Sequence, residues 1–253
     1  MNRTTIPAAL LEKAALDNGF DRELGAGAGW VRFDSTHAPL SIWLATNDEG
    51  PLVALSRGDV AYALAEHGLT SSVALPPGAV AARVVADVPA LHRLLRRAYQ
   101  LARTLPNGLL HAFQQKTAEL PRTTEAQRLV VQRVGQDLFR AGLVEYWEGR
   151  CAVTGVAIPE LLRASHIKPW AVCETDAERL DVFNGLLLAA NYDAAFDAGL
   201  VTFDDDGRLV RSRQVSAVDL RSMGIVEDAR VARLTAEHQR FLAWHREHEF
   251  RNE

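Results

Sequence analysis

Between Arg150 and Gly207 the chain reads RCAVTG (150–155), LLRASHIKPW (161–170) and DVFNGLLLAANYDAAFDAGLVTFDDDG (181–207), and this window constrains the fold more than any other. Residues 151–155 read as a strand end with a turn, and Pro159 then interrupts the chain. Residues 164–167 read as a second extended run before Pro169, which biases Lys168 away from helix. Together they make a ribbon that presents His166. Asn184-Gly185 has the form of a turn, and the residues after it approach a helix holding Asn191, Asp193 and Asp197. Asp193 and Asp197 stand four apart, so on a helix their carboxylates project from one face and can share a hard cation. A strand-borne histidine, an asparagine and two helical carboxylates supply what phosphodiester hydrolysis needs: a base for water, an orienter for that base, and a metal for the leaving oxygen.

The rest of the chain sets the frame for this window. A length of 253 residues suits two domains of about 100 to 150 residues each. Hydrophobic residues at 48% and charged residues at 24% provide enough apolar material for packed cores, which excludes wholesale disorder. The net charge of −4 means that bulk electrostatics do not draw the molecule to nucleic acid, so any such contact needs a local basic patch. Cys151 and Cys173 are the only cysteines and have no CxxC partner, which excludes a disulfide framework and a four-cysteine zinc site. No apolar run approaches a membrane span, and the first twenty residues are too broken by charge to be a signal-peptide core. The expectation is a cytoplasmic protein with no membrane partner.

The fold class expected is α+β. Residues 6–19 have helical spacing ended by Asn18-Gly19, and 30–33, 40–45 and 51–55 are short apolar runs that read as strands joined by turns. Helices are expected at about 58–67 and 88–104, with a strand at 80–87 between them. Breaks at 104–108 and at Pro121 place the boundary near 118, giving a small N-terminal α+β domain over 1–118 and a second domain over 119–253. Thr124 to Gln127 has the capping-box form, opening a helix that runs to about Tyr146. Its inward positions are expected at Val130, Val134, Leu138 and Phe139. Arg133, Gln136 and Arg140 form an outward stripe, solvated or in contact with phosphate. Asp204, Asp205 and Asp206 precede Gly207 between two strand-like runs and read as a hairpin turn. His238, His245 and His248 fall on a last helical pattern that reads as a packed or surface helix rather than a ligand site.

The conjunction of SHIKPW, FNGLLL and D-x-x-x-D resembles the HNH, or ββα-metal, endonucleases, in particular a restriction-type branch without zinc-ribbon cysteines. The resemblance covers roughly 120–250. It implies that His166 is the general base and that Asn184 holds the ribbon's loop and the histidine in place. Asp193 and Asp197, nine and thirteen residues after Asn184, fall where the family places metal ligands, and the implied cofactor is Mg²⁺ or Mn²⁺. Arg163, Lys168 and Arg140 are candidates for phosphate contact. Many members carry Asp or His immediately before the base, where this chain has Ser165, so waters or the substrate phosphate would complete the ion's shell. Without zinc ribbons the scaffold must be held by apolar packing that includes Trp147, Trp170 and Phe183.

The function expected is therefore metal-dependent cleavage of DNA in restriction or defence. The alternatives are an inactive HNH scaffold serving as a DNA-binding or sensor protein, and a nuclease directed at RNA. One such site cuts one strand at a time, so double-strand cleavage would call for a homodimer. The N-terminal domain is the candidate for target choice, and Trp30, Trp43 and Phe33 are the aromatics that would line a pocket for a modified base.

Overall fold

The computed structural model describes residues 6–105, 107–121 and 123–252; Pro106, one of the expected breaks, lies outside them. The fold is α+β, and the chain divides into two compact units, Met1–Gly108 and Leu109–Glu253.

The first unit opens with α1 (Ala8–Asp17), followed by β1 (Arg22–Gly27), β2 (Trp30–Asp34), β3 (Ser41–Asn47) and β4 (Gly50–Leu55). Then come α2 (Gly58–Ala63), β5 (Leu69–Thr70), β6 (Ala81–Val84) and α3 (Val88–Thr104). The strands form one antiparallel sheet in the order β1-β2-β3-β4-β6-β5. Strand alternation sorts its side chains into two faces. Ile42, Leu44, Val53 and Leu55 share one buried face with Phe33, on the side where α2 meets β4 and β6. Trp30, Trp43, Ala45, Leu52, Ala54, Ala82 and Val84 make a second apolar cluster on the other face, covered by Val73 and Ala79. Trp30 and Trp43 are thus core residues and Phe33 points away from them, so the three aromatics do not line a common pocket. The edge strand β1 has no counterpart in the sequence reading because all six of its residues are exposed and carry no apolar alternation.

The second unit contains α4 (Gly108–Thr117), α5 (Glu125–Tyr146), β7 (Leu162–His166), α6 (Asp176–Arg179), β8 (Gly185–Ala189) and α7 (Ala190–Asp197), then β9 (Val201–Phe203), β10 (Leu209–Arg211), α8 (Ala217–Ser222) and α9 (Ala236–His248). The capping box forms: Gln127 N donates to Thr124 Oγ1 at 3.3 Å, and Thr124 N donates to Gln127 Oε1 at 3.1 Å. The buried stripe of α5 is Val131, Gly135, Phe139, Leu143 and Tyr146, so Phe139 faces inward as expected while the rest of the stripe lies one residue along from the expected positions. Val130 is 52% exposed, while Val134 and Leu138 are half-buried. Gly135 decides the rotation. A Cβ there would lie 2.5 Å from the Trp170 ring, so the bare backbone at this point is what lets the indole seat against the helix.

The ribbon also differs from the expectation. Residues 151–155 form a turn, not a strand, tied to the sheet by Ala152 N to Leu187 O at 2.7 Å. The partner of β7 is β8, antiparallel, with His166 opposite Gly185. Asn184-Gly185 is accordingly not the apex of a turn; Asn184 closes a short 3-10 segment and Gly185 begins a strand whose five residues are all buried. α5 and α7 both contact the ribbon. A Cβ at Gly185 would come within 2.5 Å of Phe139 and 2.7 Å of Leu143, so glycine at 185 permits the approach of α5. The expected hairpin turn at 204–206 forms between β9 and β10, with Gly207 N bonded to Asp204 O at 2.9 Å.

The packing that stands in for zinc ribbons is aromatic. Tyr146, Trp147 and Phe183 surround the fully buried ring of His238, with centroids 5.1 to 5.8 Å from it. Cys151 and Cys173 are free buried thiols. Cys151 Sγ accepts from Ala189 N at 3.2 Å, which makes it a backbone anchor of β8.

Candidate active site

Among the described residues β7 pairs with β8 along one edge only, and a cavity of about 370 Å³ lies beside it, lined by residues 164–167, Pro169, Trp170, Asp197, His245 and Glu249. Adjacent strand residues point to opposite faces. His166 turns toward α5 and Ser165 toward α7, and both reach this cavity.

The His166 ring stacks on Phe139, with centroids 3.7 Å apart and planes 16° off parallel, and Trp170 meets it edge-on at 5.5 Å. Its Nε2 lies 2.9 Å from the carbonyl oxygen of Arg179. A carbonyl only accepts, so Nε2 carries the proton and Nδ1 holds the lone pair. Nδ1 has no hydrogen-bond partner among the described residues. Burial against the two aromatic rings pushes the imidazole pKa down to about 4, partly opposed by the bond to Arg179. The ring is neutral at physiological pH, as a base must be.

Asn184 is fully buried and does not reach the cavity. Its Oδ1 accepts from Lys168 N at 2.8 Å, and its Nδ2 lies 3.1 Å from Lys168 O, 3.2 Å from Glu178 O and 3.3 Å from Cys173 Sγ. Its backbone carbonyl accepts from Ile167 N at 3.0 Å. The side chain thus closes the loop that leaves His166 and returns through α6, whose last carbonyl holds the histidine.

On the other face, the Ser165 hydroxyl donates to Asp197 Oδ1 at 3.1 Å and lies within reach of Asp193. Burial raises the pKa of both aspartates. At Asp193, Ser165 and Arg163 oppose the rise; at Asp197 the charge of Asp193 adds to it, as does Glu249, while Ser165 opposes it. Two carboxylates and one hydroxyl are hard oxygen donors, a set that fits Mg²⁺ or Mn²⁺ rather than the softer ions. Among the described residues no three of His, Cys, Asp or Glu are arranged to hold an ion. An ion at the two aspartates would thus keep most of its shell for water and substrate.

The basic candidates differ in their surroundings. Arg163 is exposed on the Ser165 face of β7, its guanidinium bonded to Glu160 O at 2.9 Å and Leu162 O at 3.1 Å. Lys168 Nζ lies 2.7 Å from Glu178 Oε1 and 5.7 Å over the Trp244 ring; the hydrogen bond to Glu178 raises its pKa. Arg140 is tied to Leu162 O at 3.0 Å and Pro159 O at 3.3 Å, bracing the entry to β7.

Sequence reasoning left Trp170 to packing, set His245 outside the site and did not single out Glu249. His245 and Glu249 are four residues apart at the end of α9, and that spacing alone would have paired them on one helix face. The His245 ring lies flat on Phe196 at 3.9 Å. Its Nε2 donates to Phe196 O at 3.3 Å and its Nδ1 accepts from Thr202 Oγ1 at 2.9 Å. No signal local to the window could have brought α9 to the residue before Asp197.

Residues 151–204 match the model of a family described as HNH endonuclease, a span that takes in the turn, the ribbon, Asn184 and both aspartates. No curated protein matches the chain.

Proposed function

With an HNH endonuclease domain at residues 151–204, we propose that this protein is a Mg²⁺- or Mn²⁺-dependent DNA endonuclease that acts in restriction or defence in the cytoplasm. The observation that carries the proposal is a neutral histidine, His166, with its Nε2 held by the Arg179 carbonyl, lining the same cavity as Asp197.

In the reaction His166 Nδ1 takes a proton from the attacking water. The water oxygen forms a bond to phosphorus as the bond to the 3′ oxygen breaks, and the departing oxygen takes a proton from solvent water, leaving 5′-phosphate and 3′-hydroxyl ends. Asp193 and Asp197 would hold the divalent cation, with Ser165 beside them. When bound, that cation neutralises the phosphate and stabilises the departing oxygen. Arg140 and Asn184 act at one remove: Arg140 by bracing β7 and Asn184 by fixing the loop around the base. Arg163, exposed on the aspartate face, is the arginine available for phosphate, and Lys168 contributes once substrate competes with Glu178 for its ammonium group. The N-terminal unit selects the target, and double-strand cuts require a homodimer.

Cleavage of supercoiled plasmid by wild type and His166→Ala, with EDTA, Mg²⁺ or Mn²⁺ and on methylated and unmethylated DNA, tests this. Metal-dependent nicking by the wild type and its loss in the variant are expected. A variant that cuts at the wild-type rate would overturn the role of His166. A folded wild type that binds DNA but cuts neither DNA nor RNA would favour the inactive-scaffold reading, for which Ser165 is the supporting feature. Preferential cutting of RNA in parallel digests would redirect the substrate.

A further inference from the structure

We propose that Glu249, at the end of α9, is a third acidic member of the metal site and offsets the missing acidic or histidine ligand at Ser165. This rests on the metal-dependent reading above.

Glu249 lines the same cavity as Ser165, His166 and Asp197. Its carboxylate has no hydrogen-bond or ion-pair partner among the described residues. It is also placed against its own electrostatics. It caps the C-terminal end of a 13-residue helix, where the peptide dipoles disfavour negative charge, and it faces a cavity that already holds Asp197.

The position is held firmly. His245, one turn earlier, is stacked on Phe196 and bonded to its carbonyl, which ties α9 to the residue before Asp197. Beyond the helix, Arg251 N donates to Gly199 O at 3.0 Å, and the Ser212 hydroxyl donates to Arg251 O. The chain is therefore fastened before Glu249 to α7 and after it to the segment that follows α7.

Because no three acidic or histidine side chains among the described residues converge closely enough to hold an ion directly, Glu249 acts on the cation's hydration shell. It accepts hydrogen bonds from water that the two aspartates leave in place. Mg²⁺ and Mn²⁺ keep several waters, and outer-shell acceptors of this kind change metal affinity by about 10- to 100-fold.

The test is Mn²⁺ binding to the full chain, read by electron paramagnetic resonance of the free ion, for wild type, Glu249→Gln and Asp197→Asn, with thermal unfolding in EDTA as the control. Glu249→Gln should weaken Mn²⁺ binding at least about tenfold while melting in EDTA at or above the wild-type temperature, since it removes repulsion from the metal-free protein. Unchanged affinity in Glu249→Gln, with binding weakened in Asp197→Asn, would overturn this inference and leave the metal site standing. A lowered melting temperature in EDTA would make Glu249 a structural residue and also overturn it. Absence of Mn²⁺ binding by the wild type would remove the metal-dependent reading itself.

Discussion

Replacing Asn184 by Asp exchanges one NH₂ group for an oxygen and leaves the shape of the side chain intact, so it isolates the hydrogen bonding of the loop around His166. The bond from Lys168 N to Oδ1 survives. The two donated to Lys168 O and Glu178 O become contacts between an anionic oxygen and carbonyl oxygens, at a residue with 0% exposure. Each orphaned buried acceptor costs about 1–3 kcal/mol, and an unpaired buried charge about 3–5 kcal/mol, so a loss of about 4 kcal/mol at pH 8 is expected. At about 1.4 kcal/mol per pKa unit, the pH-dependent part of that penalty, about 3 kcal/mol, corresponds to an introduced carboxyl titrating about 2 units high, from about 4 in the unfolded chain to about 6 in the folded one. The sign is set by a raised folded pKa. Below about pH 4 the group is protonated in both states and can donate to one of the carbonyls, which leaves a deficit of about 1 kcal/mol. The deficit then grows as the pH rises from about 4 through about 6, and is complete by about pH 8. Urea unfolding followed by tryptophan fluorescence at pH 5, 6, 7 and 8, taken as the difference between wild type and variant, measures it. A difference below about 1 kcal/mol at pH 8, or one that does not change with pH, would refute the claim that Asn184 Nδ2 is a buried donor closing this loop.

Three further outcomes are expected. Gly185→Ala should destabilise the protein by about 1–3 kcal/mol, because a methyl group at 185 would overlap Phe139 and Leu143; denaturant unfolding checks this, and a neutral effect would mean that α5 is free to retreat from the ribbon. The buried rings of His166, His238 and His245 have pKa values pushed down by burial to about 4, 3 and 4. The unfolded chain therefore binds up to three more protons between about pH 4 and 6.5, and stability should fall with acidification by up to about 4 kcal/mol per pH unit, less the opposing effect of the raised carboxyls at Asp193 and Asp197; unfolding midpoints from pH 7 to 4.5 that stay level would contradict the neutral burial of these rings. Asp197→Asn should stabilise the metal-free protein modestly above the raised pKa of that carboxyl, by removing repulsion with Asp193, and should cancel the rise in melting temperature that Mn²⁺ produces in the wild type.

Much of this molecule could be read without coordinates because the relevant physics is local. The capping box at Thr124 and Gln127 involves neighbours in sequence, so the start of α5 was legible. Helical amphipathicity carried α3 to Val88–Thr104, and alternating apolar runs carried β2, β3 and β4. The four-residue spacing of Asp193 and Asp197 on α7, and the place of His166 at the end of a ribbon strand, were likewise fixed by periodicity and motif. What sequence left open depends on which surfaces meet. The rotation of α5 is set by where Trp170 and Phe139 seat, the partner of β7 by the burial of 185–189, and the opposite faces of Phe33 and Trp43 by strand register. The largest addition is the arrival of α9. His245 and Glu249 stand about fifty residues beyond Asp197 in the chain, and only tertiary packing of His245 on Phe196 brings that helix end to the cavity. Spacing along the chain determines which residues an element can present together, whereas the company they keep is set by burial of apolar surface between elements, a non-directional force that leaves no mark in either segment alone.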